Sequence, residues 1–295
     1  MKRRGGRGTG EARPGRTRAA TGRPVRTPVA VDVQRAWTST GSRVERIDRV
    51  LVDALAPEVL VTGPEAHHLR DVLRVRQGDA IEAFDGSGSQ ARGVVASVGQ
   101  DGVGLTLGPS TPSASEAPVR LTLAVALLKG DKLSDVVRPA TEIGVTGLRL
   151  IVSTNCEARE LSSVRLQRLR RVAQEAARQS GRAVVPVVEP PVPFTALRLE
   201  GLVVVGDPAS TTPLARLTGS QGWQSASEAS VVTGPEGGLT DAEVQTLVAA
   251  GAEAVSGVSG TTPIEDFKAD LAGGNLAQRG DDGLVPGLDH RLRAL

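Results

Sequence analysis

The spacing of apolar positions changes near residue 118 and divides the chain into two parts. In residues 49–107 the apolar runs are short and are separated by glycine-containing turns. With one helical pattern among them, such runs predict a small β-barrel. Residues 109–118 are rich in Pro and Ser, which is typical of a linker. We therefore expect one domain at 46–108 and a second at 119–256.

In the second part, apolar runs alternate with amphipathic helical patterns. The predicted strands are 119–128, 148–152, 184–188, 202–206 and 231–233. The predicted helices are 131–143, a long helix capped by Ser163, and a last helix that ends near Gly251. This alternation predicts a mostly parallel sheet covered on both faces. Ligands of such sheets bind at loops that leave the carboxyl ends of strands, so the loops after 206 and 233 are candidate sites.

The loop 234–239 joins the last long apolar run to the last helix. Thr240 and Glu243 have the spacing of a capping box, which predicts the helix start. Glycines before a helix start allow a ligand to approach the backbone closely. They are equally what a tight strand-to-helix turn requires. The residues alone leave both interpretations open.

The barrel part contains one predicted helix. Thr62 and Glu65 again have capping-box spacing, with a proline between them. The pattern predicts that Leu69, Val72 and Leu73 share one face.

Arginines and histidines lie on the same helical segment. Arg70 and Arg74 are four residues apart and share a side, with Arg76 just beyond. They suit an RNA-docking rim or a solvated face. His67 and His68 are adjacent, so they point about 100° apart on a helix and cannot bind one metal together.

Composition narrows the class of protein. The 295 residues include two Trp, three Phe, no Tyr and one Cys. Base stacking on aromatic side chains is therefore not the expected mode of RNA contact. The single cysteine excludes an internal disulfide and a cysteine-rich zinc site. No apolar run approaches the roughly 20 residues that span a bilayer. We expect a cytoplasmic protein that binds neither a membrane nor a metal.

Positive charge is concentrated at the N-terminus. Residues 1–46 carry 12 Lys/Arg against 3 Asp/Glu, and the remainder carries 23 against 30. A basic extension over 1–45 is predicted to be disordered, with nonspecific affinity for phosphate backbones possible. Translation beginning nearer Val44 or Arg46 is the other interpretation of this segment.

Common catalytic motifs are absent from the sequence. No Walker-type lysine follows the glycine loop, and no nucleophile–histidine–carboxylate set is visible. The run from Lys129 to Lys132 at a predicted strand end suits a phosphate-contacting turn or a solvated cap. Arg178 and Arg182 end a helix, where the helix dipole alone favours cations.

Several ordered blocks nevertheless resemble one family. The blocks read Glu65-Ala-His-His-Leu-Arg70, Leu127-Leu-Lys-Gly-Asp-Lys132, Ala140-Thr-Glu-Ile-Gly-Val145, Glu175-Ala-Ala-Arg-Gln-Ser-Gly-Arg182 and Gly234-Pro-Glu-Gly-Gly-Leu239. In this order, across residues 46–256, they resemble the RsmE-type 16S ribosomal RNA uridine-N3 methyltransferases of the SPOUT (trefoil-knot) superfamily.

The resemblance implies a fold, a reaction and a set of site residues. It implies a PUA-like N-terminal barrel for RNA docking and an α/β trefoil-knot methyltransferase domain, working as a homodimer. S-adenosylmethionine would be the cofactor, and a uridine of 16S rRNA in the small ribosomal subunit would be methylated at N3. The implied cofactor-binding residues are Gly206, Gly234, Pro235, Glu236, Gly237, Gly238 and Leu239. The implied RNA-binding residues are Arg70, Arg74, Arg76, Lys129, Lys132, Arg178 and Arg182. No catalytic base is identified.

The chain departs from the family pattern after Ser256. Such enzymes typically continue with Leu-Gly-x-x-Ile-Leu-Arg-x-Glu-Thr, a segment that completes the knot, the cofactor pocket and the dimer face. Residues 257–295 lack it, which indicates either a frameshift or a diverged, disordered tail. The alternative function is therefore an RNA-binding protein that has lost the C-terminal half of its cofactor pocket.

Overall fold

A computed structural model describes residues 47–218 and 220–256 of the chain. The predictions for the basic extension and for the tail 257–295 lie outside the described residues. No helix in the described ranges combines the length and the apolar character that crossing a membrane requires.

The first domain is a six-stranded, mostly antiparallel sheet with its own apolar core. Its elements are β1 (Asp48–Leu51), β2 (Glu58–Val61), α1 (Gly63–His67), a π-helix (His68–Leu73), β3 (Ala80–Phe84), β4 (Ser89–Val98), β5 (Val103–Leu107) and β6 (Thr111–Pro112). The strand order is β1-β3-β4-β5-β2, with β6 beside β4. Leu69 of the π-helix is fully buried in one cluster with Val50 of β1 and Val61 of β2, the two edge strands. The helical segment thus packs into the barrel core.

Two local predictions for this helical segment were wrong. Thr62 precedes the helix but makes no side-chain capping bond. Glu65 instead accepts a hydrogen bond from Arg178 of the second domain, at 2.9 Å. Val72 is 59% exposed rather than on the buried face. The cause is the π-helical turn, whose longer period rotates Val72 away from the position that an α-helix would give it.

The second domain is a parallel sheet with helices. Its elements are β7 (Arg120–Ala126), α2 (Lys132–Ile143), β8 (Gly147–Val152), α3 (Ser163–Ser180), β9 (Val187–Val188), β10 (Val192–Pro193), a 3-10 turn (Phe194–Ala196), β11 (Leu202–Gly206), α4 (Leu214–Thr218), α5 (Gln221–Ser225), β12 (Glu228–Thr233), α6 (Asp241–Ala249) and β13 (Glu253–Val255). The order is β10-β8-β7-β12-β11-β13, and β9 also pairs with β8. All these pairings are parallel, as predicted.

Element ends differ from prediction in two places. The cap of α3 is Ser162, whose hydroxyl accepts from the Arg165 N–H, and not Ser163. The strand predicted over 184–188 begins only at Val187. Val185 is unavailable to it, because its N–H donates to Gly86 O of the first domain at 2.9 Å.

The central strands β7 and β12 are neighbours through six paired residues. The chain leaves β7 towards β8 on one side and leaves β12 towards β13 on the other. This is a topological switch point, and the crevice at the carboxyl ends of these two strands is where ligands of open α/β sheets bind.

Apolar and charged contacts join the two domains. Phe84 of β3 is fully buried with Ala177 and Ala183, which come from the end of α3 and the residues after it. The Arg49 guanidinium lies 4.7 Å from the centroid of the Phe84 ring and donates to Glu82 at 2.7 Å. It also donates to the carbonyl of Arg182 at 3.0 Å. The barrel is thereby fixed to the C-terminal end of α3.

Arg182 occupies the middle of this junction and is only 3% exposed. It donates to Glu116 Oε2 at 2.7 Å and to the carbonyls of Thr141 and Val145 at 2.8 and 2.6 Å. The other Glu116 oxygen accepts from the N–H groups of Ala183 and Val184. A buried cation needs such partners, since an unpaired charge in the interior is strongly unfavourable.

These positions give Arg178 and Arg182, two of the predicted RNA-binding residues, partners within the protein. Arg182 is enclosed by protein, and Arg178 is held by Glu65. Both arginines contribute to the domain junction, and their RNA role stays a prediction. Glu116 within the Pro/Ser segment also makes that segment part of the junction.

Replacing Arg182 by Met should lower the free energy of unfolding by about 3 kcal/mol, because Glu116 would remain largely buried without its cation. Urea denaturation of the full chain measures this change. Arg171→Met is the matched control, since Arg171 is exposed on α3, the helix that precedes Arg182. A loss for Arg182→Met no larger than that of the control would contradict the assignment.

Candidate functional site

The loop 234–239 follows β12 at the switch point. Val125 of β7 pairs with Thr233, and Val205 of β11 pairs with Val232, so the loop is flanked by the ends of both neighbouring strands. Gly206 ends β11 and is buried. The structure therefore brings together the two loops that the strand pattern predicted as candidate sites.

Backbone geometry explains the glycines of this loop. A Cβ atom on Gly234 would lie 2.5 Å from the N atom of Leu239, closer than real Cβ atoms approach. Gly238 has a φ of +71°, and its N–H donates to the carbonyl of Pro235 at 2.8 Å. The loop thus closes on itself, as the turn interpretation requires. A Cβ atom on Gly238 would meet no atom of the described residues within 4 Å, so this side of the loop is open.

Glu236 links the loop to the segment after β7. Its Oε1 accepts from the Lys132 Nζ at 2.8 Å and from the Lys129 N–H at 3.4 Å. The Lys132 hydrogen bond is the main cause that lowers the pKa of Glu236. Lys129 in turn pairs with Glu157 at 2.9 Å, which raises the pKa of the lysine. Two lysines and two carboxylates therefore form a charged rim beside the loop.

Glu243 fixes the other end of the loop. The predicted capping box is confirmed, because the Thr240 hydroxyl accepts from the Glu243 N–H and Glu243 Oε2 accepts from the Thr240 N–H at 2.9 Å. Glu243 Oε1 also accepts from the N–H and the hydroxyl of Thr154, at 2.8 and 3.0 Å. Burial opposes ionisation of this carboxyl, but the hydrogen bonds from Thr240 and Thr154 outweigh it and lower the pKa of Glu243.

Thr154 and its neighbour Asn155 were not predicted from the sequence to belong to the site. The Asn155 Nδ2 donates to the carbonyls of Gly237 and Gly238, at 3.2 Å each. Their position in the sequence could have identified them, since both follow the apolar strand β8 at the same sheet edge as the glycine loop.

The other five predicted RNA-binding residues lie on two segments of the chain, one in each domain. Arg70 is held by Asp71 at 2.9 Å and by the Gly99 carbonyl at 3.3 Å. Arg74 and Arg76 are exposed, and no described carboxylate lies within ion-pair distance of either. Lys129 and Lys132 are on the rim beside the loop. The RNA role of these five residues stays a prediction.

One of the two adjacent histidines lies beside a carboxylate. His67 Nδ1 lies 2.6 Å from Asp71 Oδ2, on the surface. Within the described ranges, no group of three His, Cys, Asp or Glu side chains is placed to hold a metal ion.

Family models match both domains. An RNA methyltransferase PUA domain matches residues 61–106, and an RNA methyltransferase domain matches residues 115–256. The ribosomal RNA small subunit methyltransferase E of Bacillus subtilis is 31% identical over 207 residues, which cover 65% of this chain and 79% of that protein. This chain belongs to the ribosomal RNA small subunit methyltransferase E family. The family member of Synechocystis sp. is 31% identical over 202 residues, 67% of this chain and 66% of that protein.

Solved structures agree on the fold. A methyltransferase E from Neisseria gonorrhoeae bound to S-adenosyl methionine has a TM-score of 0.67 and 24% identity, over 78% of this chain and 98% of that one. The structure of a hypothetical protein has a TM-score of 0.66 and 28% identity, over 78% of this chain and 99% of that one. The expected architecture, a PUA-like barrel followed by a SPOUT methyltransferase domain, is confirmed. The segment that would thread the knot lies outside the described residues.

Substituting Glu243 by Gln should lower the free energy of unfolding at pH 7 by about 2 kcal/mol, because an amide NH₂ cannot accept the bonds that Thr154 and Thr240 donate. The folded-state pKa of Glu243 lies below the ordinary value of about 4.3. The contribution of the carboxylate is therefore complete above that value and is lost as pH falls through the folded pKa.

Urea denaturation between pH 7 and pH 3 tests this dependence. The difference between the parent chain and Glu243→Gln should shrink in the acid range, whereas the exposed Glu58→Gln should show little difference at any pH. A difference that stays constant down to pH 3 would count against the assignment.

Proposed function

We propose that this chain transfers a methyl group from S-adenosylmethionine to the ribosomal RNA of the small subunit. The observation that carries the proposal is the glycine loop at the switch point of a domain that matches the RNA methyltransferase model through Ser256. The alternative of an RNA-binding protein that has lost the C-terminal half of its cofactor pocket is not favoured, because the chain matches an RNA methyltransferase domain over residues 115–256 and is similar to ribosomal RNA methyltransferases.

The residues of the site suit a nucleoside-like cofactor. Gly206 and the loop 234–239 supply backbone N–H and C=O groups at the sheet edge, and Gly238 leaves open space beside them. The cofactor-binding residues would be Gly206, Gly234, Pro235, Glu236, Gly237, Gly238 and Leu239. When bound, S-adenosylmethionine supplies an electrophilic methyl group on a sulfonium.

The finer assignment is N3 of a uridine in 16S rRNA, with the chain acting as a homodimer. It rests on the family blocks in the sequence. This reaction requires the protein to align the base with the methyl donor, to exclude water and to assist removal of the N3 proton. Glu236 is a poor general base for that proton, because Lys132 lowers the pKa of its carboxyl.

Incubation of the full chain with labelled S-adenosylmethionine and small subunits that lack the modification tests the proposal. Incorporation of label at uridine N3, located by nuclease digestion and mass spectrometry, is the expected result. Label on another nucleotide would contradict the finer assignment, and the absence of label would contradict the function.

Replacing Gly234 by Ala should reduce methyl transfer at least 100-fold, because the new Cβ would collide with the backbone of Leu239 and open the loop. Gly222→Ala is the matched control, since no described atom lies within 4 Å of a Cβ built there. Transfer rates of the two variants within threefold of each other would contradict a role of the loop in the reaction.

A double substitution of Arg74 and Arg76 by Gln tests whether these two exposed arginines of the first domain bind RNA. If both side chains contact phosphates, the slope of log affinity against log salt should fall by about 1 for each lost contact. Filter binding of 16S rRNA over a range of salt concentrations measures the slope. An unchanged slope, equal to that of the exposed control Arg171→Gln, would remove these arginines from the RNA surface.

A further inference from the structure

The turn after β8 is fixed by its own hydrogen bonds. The Ser153 N–H donates to Cys156 Sγ at 3.3 Å, and the Cys156 N–H donates back to Ser153 O at 3.3 Å. The Arg159 guanidinium donates to the carbonyls of Ser153 and Thr154, at 3.0 and 2.8 Å. Ser153 and Cys156 are buried. These bonds do not involve the glycine loop, so the turn is a support that is formed independently of it.

Two residues of this turn reach across the end of β7 to the glycine loop. Thr154 binds Glu243, which in turn holds Thr240 at the end of the loop. Asn155 binds the carbonyls of Gly237 and Gly238. Because carbonyl oxygens only accept, the amide nitrogen of Asn155 must face both of them.

These contacts fix the direction of peptide groups in the loop. A peptide unit is planar, so holding its carbonyl also holds the N–H of the next residue. The bonds to Gly237 O and Gly238 O therefore orient the N–H groups of Gly238 and Leu239. The first of these is used within the loop, where it donates to Pro235 O.

We propose that Thr154 and Asn155 are positioning residues for the cofactor, which hold the glycine loop in its binding conformation before the cofactor arrives. The inference rests on the proposed function, because it takes the loop to be the S-adenosylmethionine site. A loop that is already ordered loses less conformational freedom on binding, and its affinity is correspondingly higher. Neither residue needs to touch the cofactor for this effect.

Calorimetry of the full-length chain with S-adenosylmethionine tests the proposal. Asn155→Ala should weaken binding about tenfold, since it releases two carbonyls that the parent chain holds. Thr154→Val should weaken binding less, because the backbone N–H of residue 154 still donates to Glu243. Thr154→Ser keeps the hydroxyl and should bind with the parent affinity. Gln167→Ala, on the exposed side of α3, is the control and should bind as the parent does.

A second measurement is independent of the cofactor. Hydrogen exchange of the loop amides, measured without cofactor, should be faster in Asn155→Ala than in the parent, while exchange in β7 and β12 stays the same. A purely structural role would instead lower the melting temperature and accelerate exchange throughout the sheet.

The outcomes separate the two proposals. If the parent chain does not bind S-adenosylmethionine, the proposed function fails, and loop exchange still decides the role of Asn155. If the parent binds and Asn155→Ala binds within twofold of it, the positioning role is overturned. It is equally overturned by loop exchange that does not differ from the parent, or by accelerated exchange across the whole sheet.

Discussion

The parallel pairing of β7 with β12 is the constraint on which the candidate site depends. It sets the two central strands side by side although more than a hundred residues of chain connect them, from Arg120 to Glu228. Their carboxyl ends consequently meet, and the segments that follow them share one crevice. Lys132 can reach Glu236 only because of this pairing. Together with the pairing of β7 and β8, it leaves only β7 between the turn after β8 and the glycine loop, so the Asn155 side chain reaches the loop.

The domain junction applies a second constraint, at the other end of α3. Arg182 pairs with Glu116 and donates hydrogen bonds to two backbone carbonyls. From the barrel, Arg49 donates to the backbone carbonyl of Arg182. A buried cation with this many partners has one favourable arrangement, since each broken contact leaves a desolvated polar group. The barrel and the parallel sheet are therefore held in one orientation. An RNA-docking barrel in a fixed orientation would present its substrate to the crevice at a fixed place.

Local signals in the sequence predicted most of the fold and part of the site. The parallel sheet, the capping box at Thr240 and the two candidate loops all follow from short-range patterns, and the structure contains them. Two features escaped sequence reasoning because they depend on distant residues. The pairing of Arg178 was not predicted, because its partner Glu65 is 113 positions away. Asn155 carried no motif, because its partners lie 82 and 83 positions further along the chain. Val72 was misplaced because a π-turn changed the helical period.

The net charge of residues 47–295 gives little electrostatic basis for RNA binding. Residues 47–295 carry 23 Lys/Arg against 30 Asp/Glu, so the net charge of this part repels phosphate. Arg178 and Arg182 pair with Glu65 and Glu116, so leaving out both ion pairs gives 21 cationic against 28 acidic side chains and the same excess of negative charge. Attraction must then come from local clusters that extend less than a Debye length, about 8 Å at physiological salt. Few phosphates can be contacted in that way, and a small number of contacts gives a weak salt dependence. Recognition by this part of the chain would therefore depend on the shape of the folded RNA more than on charge.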